Sequence, residues 1–182
     1  NSNSHAAFKF PAVSVAKGAK ISSAYIDIRV NERRGSGNLD FTVYAEDVDD
    51  SANLDGTANC TDPCTRNVRD MTRTTSNHTY SIDFSGTATT GNTYRLDVTD
   101  VVQEIICRGA ENTQPCVGDF NGSGAWASGN DLAILLISSE DPSVNNVIDI
   151  NSVDNVGTIS FVTTLQINCA DSCTTVNPPN TA

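Results

Sequence analysis

FKFPAVSVAKGAKISSAYIDIRV, residues Phe8 to Val30, is the stretch whose reading decides the fold. Phe8 and Phe10 alternate with Lys9, and Val13 and Val15 alternate with Ser14. Ala16-Lys17-Gly18-Ala19 breaks the run, and Tyr25, Ile26, Ile28 and Val30 rebuild a β-rich segment. Alternation with a period of two, interrupted by glycine, marks half-buried antiparallel strands. The stretch therefore reads as strand, turn, strand.

The rest of the composition agrees with a β-protein. The chain has 182 residues, enough for one domain with a core of its own. Aromatic residues make up 6% and charged residues 18%, and serine, threonine, asparagine and glycine are abundant. The net charge of -11, from 22 acidic and 11 basic residues, argues against nucleic acid as a partner, because phosphate binding needs a basic footprint. No apolar run approaches the roughly 18–20 residues of a membrane span. The chain begins at Asn1 without a methionine or signal peptide, which suggests a processed or trimmed start.

Strands are expected near residues 7–10, 12–16, 23–30, 40–46, 79–84, 93–97, 131–138, 146–150 and 158–168. Between them, Val101, Val102, Ile105 and Ile106 form one apolar face of a short helix over 97–106. Asp97, Thr99 or Asp100 could cap its start. Many short strands, polar turns and one helix point to an all-β sandwich of the jelly-roll type. It would occupy residues 1–173 as a single domain, followed by a polar tail over 174–182. Two long loops, Asp47 to Ser76 and Arg108 to Gly129, carry cysteines and are expected to be tied down by them.

The six cysteines fall into three local pairs, Cys60 with Cys64, Cys107 with Cys116 and Cys169 with Cys173. Zinc is the competing reading, but the pairs lie far apart and only His5 and His78 could complete a site. Six cysteines admit many pairings, so nearest-neighbour disulfides are an inference from proximity. Disulfides imply an oxidising, extracellular compartment.

Three segments carry a family resemblance. They are VSVAKGAKISSAYIDIRV, then YRLDVTDVVQEIICRGAENTQPCVGDFNGSGAWASGNDLAILLISSED, and ISFVTTLQIN. The chain resembles the secreted bacterial and archaeal jelly-roll domains labelled DNRLRE, which are also likened to carbohydrate-binding modules. The matching positions are Ala19, Ile21, Ser23, Ala24, Tyr25 and Ile26, then Val102, Gln103, Glu104 and Ile105. Trp126, Ser128, Gly129, Asn130, Leu132 and Ala133 complete them. The resemblance covers about two thirds of the chain and implies a fold more than a function. In that family a further strand precedes the segment equivalent to Phe8–Phe10, and the cysteine-bearing insertions are not part of the common pattern. A sandwich one strand short would leave an open edge or groove. A neighbouring copy could fill it by strand addition, and a head-to-tail repeat of that contact would give a filament. The alternative is that the missing strand lies upstream or was trimmed away.

No nucleophile elbow, zinc-protease helix or phosphate-cradling loop occurs, so no catalytic residue is assigned and the chain is not read as an enzyme. Glu46, Asp49 and Asp50 crowd one strand end beside Asp47 and are the calcium candidates; the competing reading is a solvated acidic surface. Trp126 lies inside the family-like motif and reads as core more readily than as a sugar platform. Asn59, Asn77 and Asn121 are sequon acceptors, although this asparagine, serine and threonine content yields as many by chance. The function expected is a non-catalytic extracellular structural subunit. It would self-assemble as a homo-oligomer or homopolymer into a filament, with Phe8, Phe10, Val13 and Val15 at the contact. The alternative is a carbohydrate- or surface-binding module with structural calcium.

Overall fold

The structure, a computed structural model, describes residues 5–34, 38–52, 68–83, 91–110, 114–116, 124–138, 147–150 and 163–171. In chain order these form β1 (His5–Phe10), β2 (Ile21–Arg34), β3 (Asn38–Ala45), a 3-10 turn at Val68–Asp70, β4 (His78–Asp83) and β5 (Thr93–Asp97). Helix α1 (Thr99–Cys107), β6 (Leu132–Ser138), β7 (Val147–Ile150) and β8 (Thr164–Cys169) follow.

Two antiparallel sheets make a β-sandwich with one short helix, the fold class expected from the alternation. One sheet runs β1-β6-β3-β4. The other is organised around β2, with β5 on one side and β8 and then β7 along the other. The alternating residues explain the layering. Phe8, Phe10, Phe41, Val43, Leu132 and Ile134 from the first sheet meet Ile26, Ile28, Leu96, Leu165 and Ile167 from the second in one core. Helix α1 closes one end of it with Val101, Val102, Ile105 and Ile106. Its start lacks a side-chain N-cap at Val98, but Asp97 Oδ1 accepts the N–H of Thr99 at 2.8 Å.

β6 is apolar on both faces, because both are covered. Leu132, Ile134 and Leu136 enter the main core. Ala133 and Leu135 point the other way, under Met71, with Ala7, Tyr44, Val68 and Ile137 around them. The outer face of this sheet is thus a second, smaller core.

One expected strand is absent. Residues 12–16 form no strand, since Pro11 ends β1 and Ala12 takes a left-handed conformation with φ of 51°. Val13 and Val15 are nonetheless fully buried, held by backbone hydrogen bonds from Val13 to residues 129 and 130. Trp126 Nε1 donates to the Val15 carbonyl at 2.8 Å, and Trp126 is 1% exposed. It is a core residue, as its place in the motif suggested.

Candidate functional site

Phe8, Phe10, Val13 and Val15, the four residues expected at a subunit contact, are all buried in this chain's own core. The reason is pairing: β1 lies antiparallel to β6 from His5↔Ile137 to Phe10↔Leu132, which turns its phenylalanines inward. Among the described residues β1 pairs with β6 alone, so it stands at an edge of its sheet.

Alternation also sends Lys9 to the outer face, where it is 6% exposed. Its Nζ lies 2.7 Å from Asp131 Oδ2. The other carboxylate oxygen, Oδ1, accepts the Ala12 N–H at 2.8 Å. Burial raises the pKa of the Asp131 carboxyl, but hydrogen bonds from Lys9 and Ala12 and the Lys9 charge outweigh it and hold the group below the usual carboxylate range. The Asp131 backbone is pinned as well. Its N–H donates to Asp50 Oδ1 at 2.8 Å, and its carbonyl accepts the Ser51 N–H at 3.0 Å.

The acidic turn after β3 serves the fold in a specific way. Glu46 is 2% exposed and accepts a hydrogen bond from Ser51 Oγ at 2.9 Å. Asp49 accepts from Arg108 Nε at 2.7 Å, Asp47 accepts from Arg108 Nη1, and Asp50 holds the Asp131 backbone. The three calcium candidates therefore serve three different partners, and a guanidinium supplies the positive charge between Asp47 and Asp49. Among the described residues no cluster of three or more histidine, cysteine, aspartate or glutamate side chains is arranged to hold a metal ion. Glu104 of α1 joins the same region by accepting the N–H groups of Thr75 and Ser76 at 2.8 and 2.7 Å.

A cleft of about 400 Å³ opens where β4 overhangs β5. Tyr25, His78, Tyr80, Arg95 and Asp97 are its principal walls. The His78 and Tyr80 rings lie 4.7 Å apart, and the Arg95 guanidinium sits 3.9 Å over the Tyr25 ring while bonding both oxygens of Asp27 at 2.8 Å. The register β2–β5 brings Tyr25 beside Asp97.

Cys107 and Cys116 form a disulfide, with a Cα–Cα distance of 5.3 Å. Cys169 is also disulfide-bonded. Cys60, Cys64 and Cys173, the sequon residues Asn59 and Asn121, and the tail over 174–182 lie outside the described residues. Asn77 is exposed immediately before β4, with Nδ2 donating to the Thr75 carbonyl at 3.0 Å. No helix among the described residues is long and apolar enough to cross a membrane. Comparison with protein-family models, with curated proteins and with solved structures finds no match to this chain.

Proposed function

We propose that this chain is a non-catalytic, extracellular structural subunit that self-assembles into a filament or surface fibre by exchanging β1 between copies. The observation that carries this reading is the placement of β1. It pairs with β6 alone among the described residues and is joined to the rest through the Pro11–Ala12 break. A β1 donated by a second copy would make the same backbone and phenylalanine contacts, so exchange conserves the interactions that hold it. Opening the break also lets Ala12 leave its left-handed conformation, which costs an alanine roughly 1–2 kcal/mol. The disulfides support an oxidising compartment.

Negative-stain electron microscopy of native, non-reduced protein tests this reading, with and without excess synthetic peptide spanning residues 5–16. Regular filaments whose growth the peptide suppresses are expected. A chain that stays monomeric at every concentration sinks the proposal.

The cleft favours a second reading, a carbohydrate-binding module. Aromatic side chains such as Tyr25, His78 and Tyr80, which line the cleft beside the polar Arg95 and Asp97, are the residue type that stacks on sugars. Calorimetric titration with neutral oligosaccharides separates the two, since binding that Tyr25→Ala weakens, by a protein that remains monomeric, would favour the module.

A further inference from the structure

The geometry points to a covalent amide bond between Lys9 Nζ and the side-chain carboxyl carbon of Asp131, formed by the folded protein itself. This cross-link would tie the edge strand β1 to the start of β6, and it does not depend on the assembly reading.

The argument begins from burial. Lysine is among the residues least often buried, and the Lys9 and Asp131 side chains are only 7% and 26% exposed while lying 2.7 Å apart. A buried ion pair recovers its desolvation cost poorly. A neutral amide in the same place carries no charge to desolvate.

The carboxyl group is also held for attack. Its backbone is fixed by Asp50 and Ser51, and Oδ1 already accepts the N–H of Ala12. Negative charge would develop on that oxygen in the tetrahedral intermediate, so the Ala12 N–H is placed as an oxyanion donor. Oδ2, on the lysine side, is the oxygen positioned to leave. Two groups fixed at contact distance react as an intramolecular pair, which removes much of the entropic barrier.

A proton acceptor stands on the same face. Lys9 pairs with Ala133 from one side of β6. From the other side the Glu46 N–H bonds the Ala133 carbonyl at 2.9 Å, continuing the register Ala45↔Ile134. Lys9 and Glu46 therefore flank Ala133 on one face of the sheet, two residues from Asp131. Met71 and Leu135 pack with Ala133 on this face.

The step balances without any co-reactant. The resting pair is ionic, because Lys9 and Ala12 hold the Asp131 carboxyl below the usual carboxylate range, and the reactive form is the minor state in which the Lys9 ammonium has given one proton to Asp131 Oδ2, leaving a neutral amine and a neutral carboxylic acid. Nζ attacks the carboxyl carbon, Glu46 takes a second proton from the nitrogen and passes it to Oδ2, and Oδ2 departs as water. One C–N bond forms, one C–O bond breaks, and nothing is oxidised or reduced. Glu46 returns to its starting state.

The consequence is mechanical. Tension on the N-terminus would pass from Lys9 into β6 through a covalent bond, so peeling of the edge strand would stop after residues 5–8. In an exchanged assembly the same geometry would join Lys9 of one copy to Asp131 of the next.

Denaturing mass spectrometry of the reduced full-length protein, followed by fragmentation of its peptides, tests the bond. The expected result is a mass one water below the sequence mass, with a branched peptide linking residues 9 and 131. Succinimide formation at Asp55–Gly56 also removes water, so the branched peptide, and not the mass alone, is decisive. Lys9→Arg and Asp131→Ala should lack the branch, and Glu46→Gln should form it about 100-fold more slowly. A single-chain band carrying the branch supports the bond without exchange. A boiled, reduced ladder of multimers carrying it supports both readings. Tryptic cleavage after an unmodified Lys9 throughout the wild-type sample overturns the proposal, and a Glu46→Gln rate equal to wild type overturns the role given to Glu46.

Discussion

Tyr80 on β4 grips the backbone of Asp97 on β5: its oxygen accepts the Asp97 N–H at 2.5 Å while its hydroxyl donates to the Asp97 carbonyl at 3.0 Å. The contact joins the edge of one sheet to the edge of the other, and it sets the wall of the aromatic cleft. Burial pushes the Tyr80 phenol above its ordinary pKa, so the proton needed for donation stays in place at neutral pH. Tyr80→Phe keeps the ring packed near Phe41 and removes both hydrogen bonds. A loss of about 1 kcal/mol is expected, because the freed backbone groups can bond water instead. Urea unfolding should show a lower midpoint with an unchanged slope.

Arg108 is the counter-charge of the acidic turn. Its guanidinium is nearly buried and bonds Asp47 and Asp49, which are 22% and 30% exposed. Burial opposes the arginine's charge, but the hydrogen bond it donates to Asp49 and the neighbouring aspartate charges hold its pKa above the ordinary value. Arg108→Met leaves two carboxylates facing each other without a cation, and about 2–3 kcal/mol of stability should be lost by urea titration. In the wild type a chelator should leave the melting temperature unchanged. A large fall on chelation would mean that a metal ion, and not Arg108 alone, balances this turn.

The contrast between what the chain announced and what it concealed has a physical cause. The run Leu132–Ile137 is apolar at consecutive positions, a sign of a strand covered on both faces. Lys9, sitting between Phe8 and Phe10, reads by alternation as the solvent-facing member of a half-buried strand. That reading holds only if the outer face is wet. Because β1 pairs with β6, Lys9 shares the buried outer face of Ala133 and Leu135, and its pairing with Asp131 follows from a register that no local pattern encodes. The signal that could have found it was the doubly apolar β6. Val13 and Val15 mislead in the opposite direction. Their alternation is real and both are buried, yet Pro11 and the left-handed Ala12 place them in a loop packed on Trp126. The helix was plain because its apolar face needs only local spacing.

Gly109 should tolerate no side chain. It follows α1 with φ of 71°, and a Cβ there would lie 2.5 Å from the Cβ of Ala125. Ala125 cannot yield freely, since the Trp126 N–H next to it bonds the Arg108 carbonyl at 3.1 Å. Gly109→Ala therefore combines an unfavourable conformation with a steric clash, at a cost of about 2–3 kcal/mol. Thermal unfolding followed by near-ultraviolet circular dichroism of Trp126 reads the effect, and an unchanged midpoint would contradict the packing described for this turn.

The titration of Asp131 separates an ion pair from an amide. While the carboxyl is free, Lys9 and Ala12 hold its folded pKa below the unfolded value. Its stabilising contribution is then fully present above the unfolded carboxylate pKa and is lost as pH falls through the folded one. In Lys9→Arg a cation remains but no amide can form, so the stability advantage over Asp131→Ala should shrink as pH falls below the ordinary carboxylate range. In cross-linked wild type Asp131 no longer titrates. Its advantage over Asp131→Ala should stay flat across the same window, measured as urea midpoints in a series of acid buffers. A wild-type advantage that collapses in parallel with that of Lys9→Arg would show the pair to be ionic, because only a carboxylate can be discharged by acid.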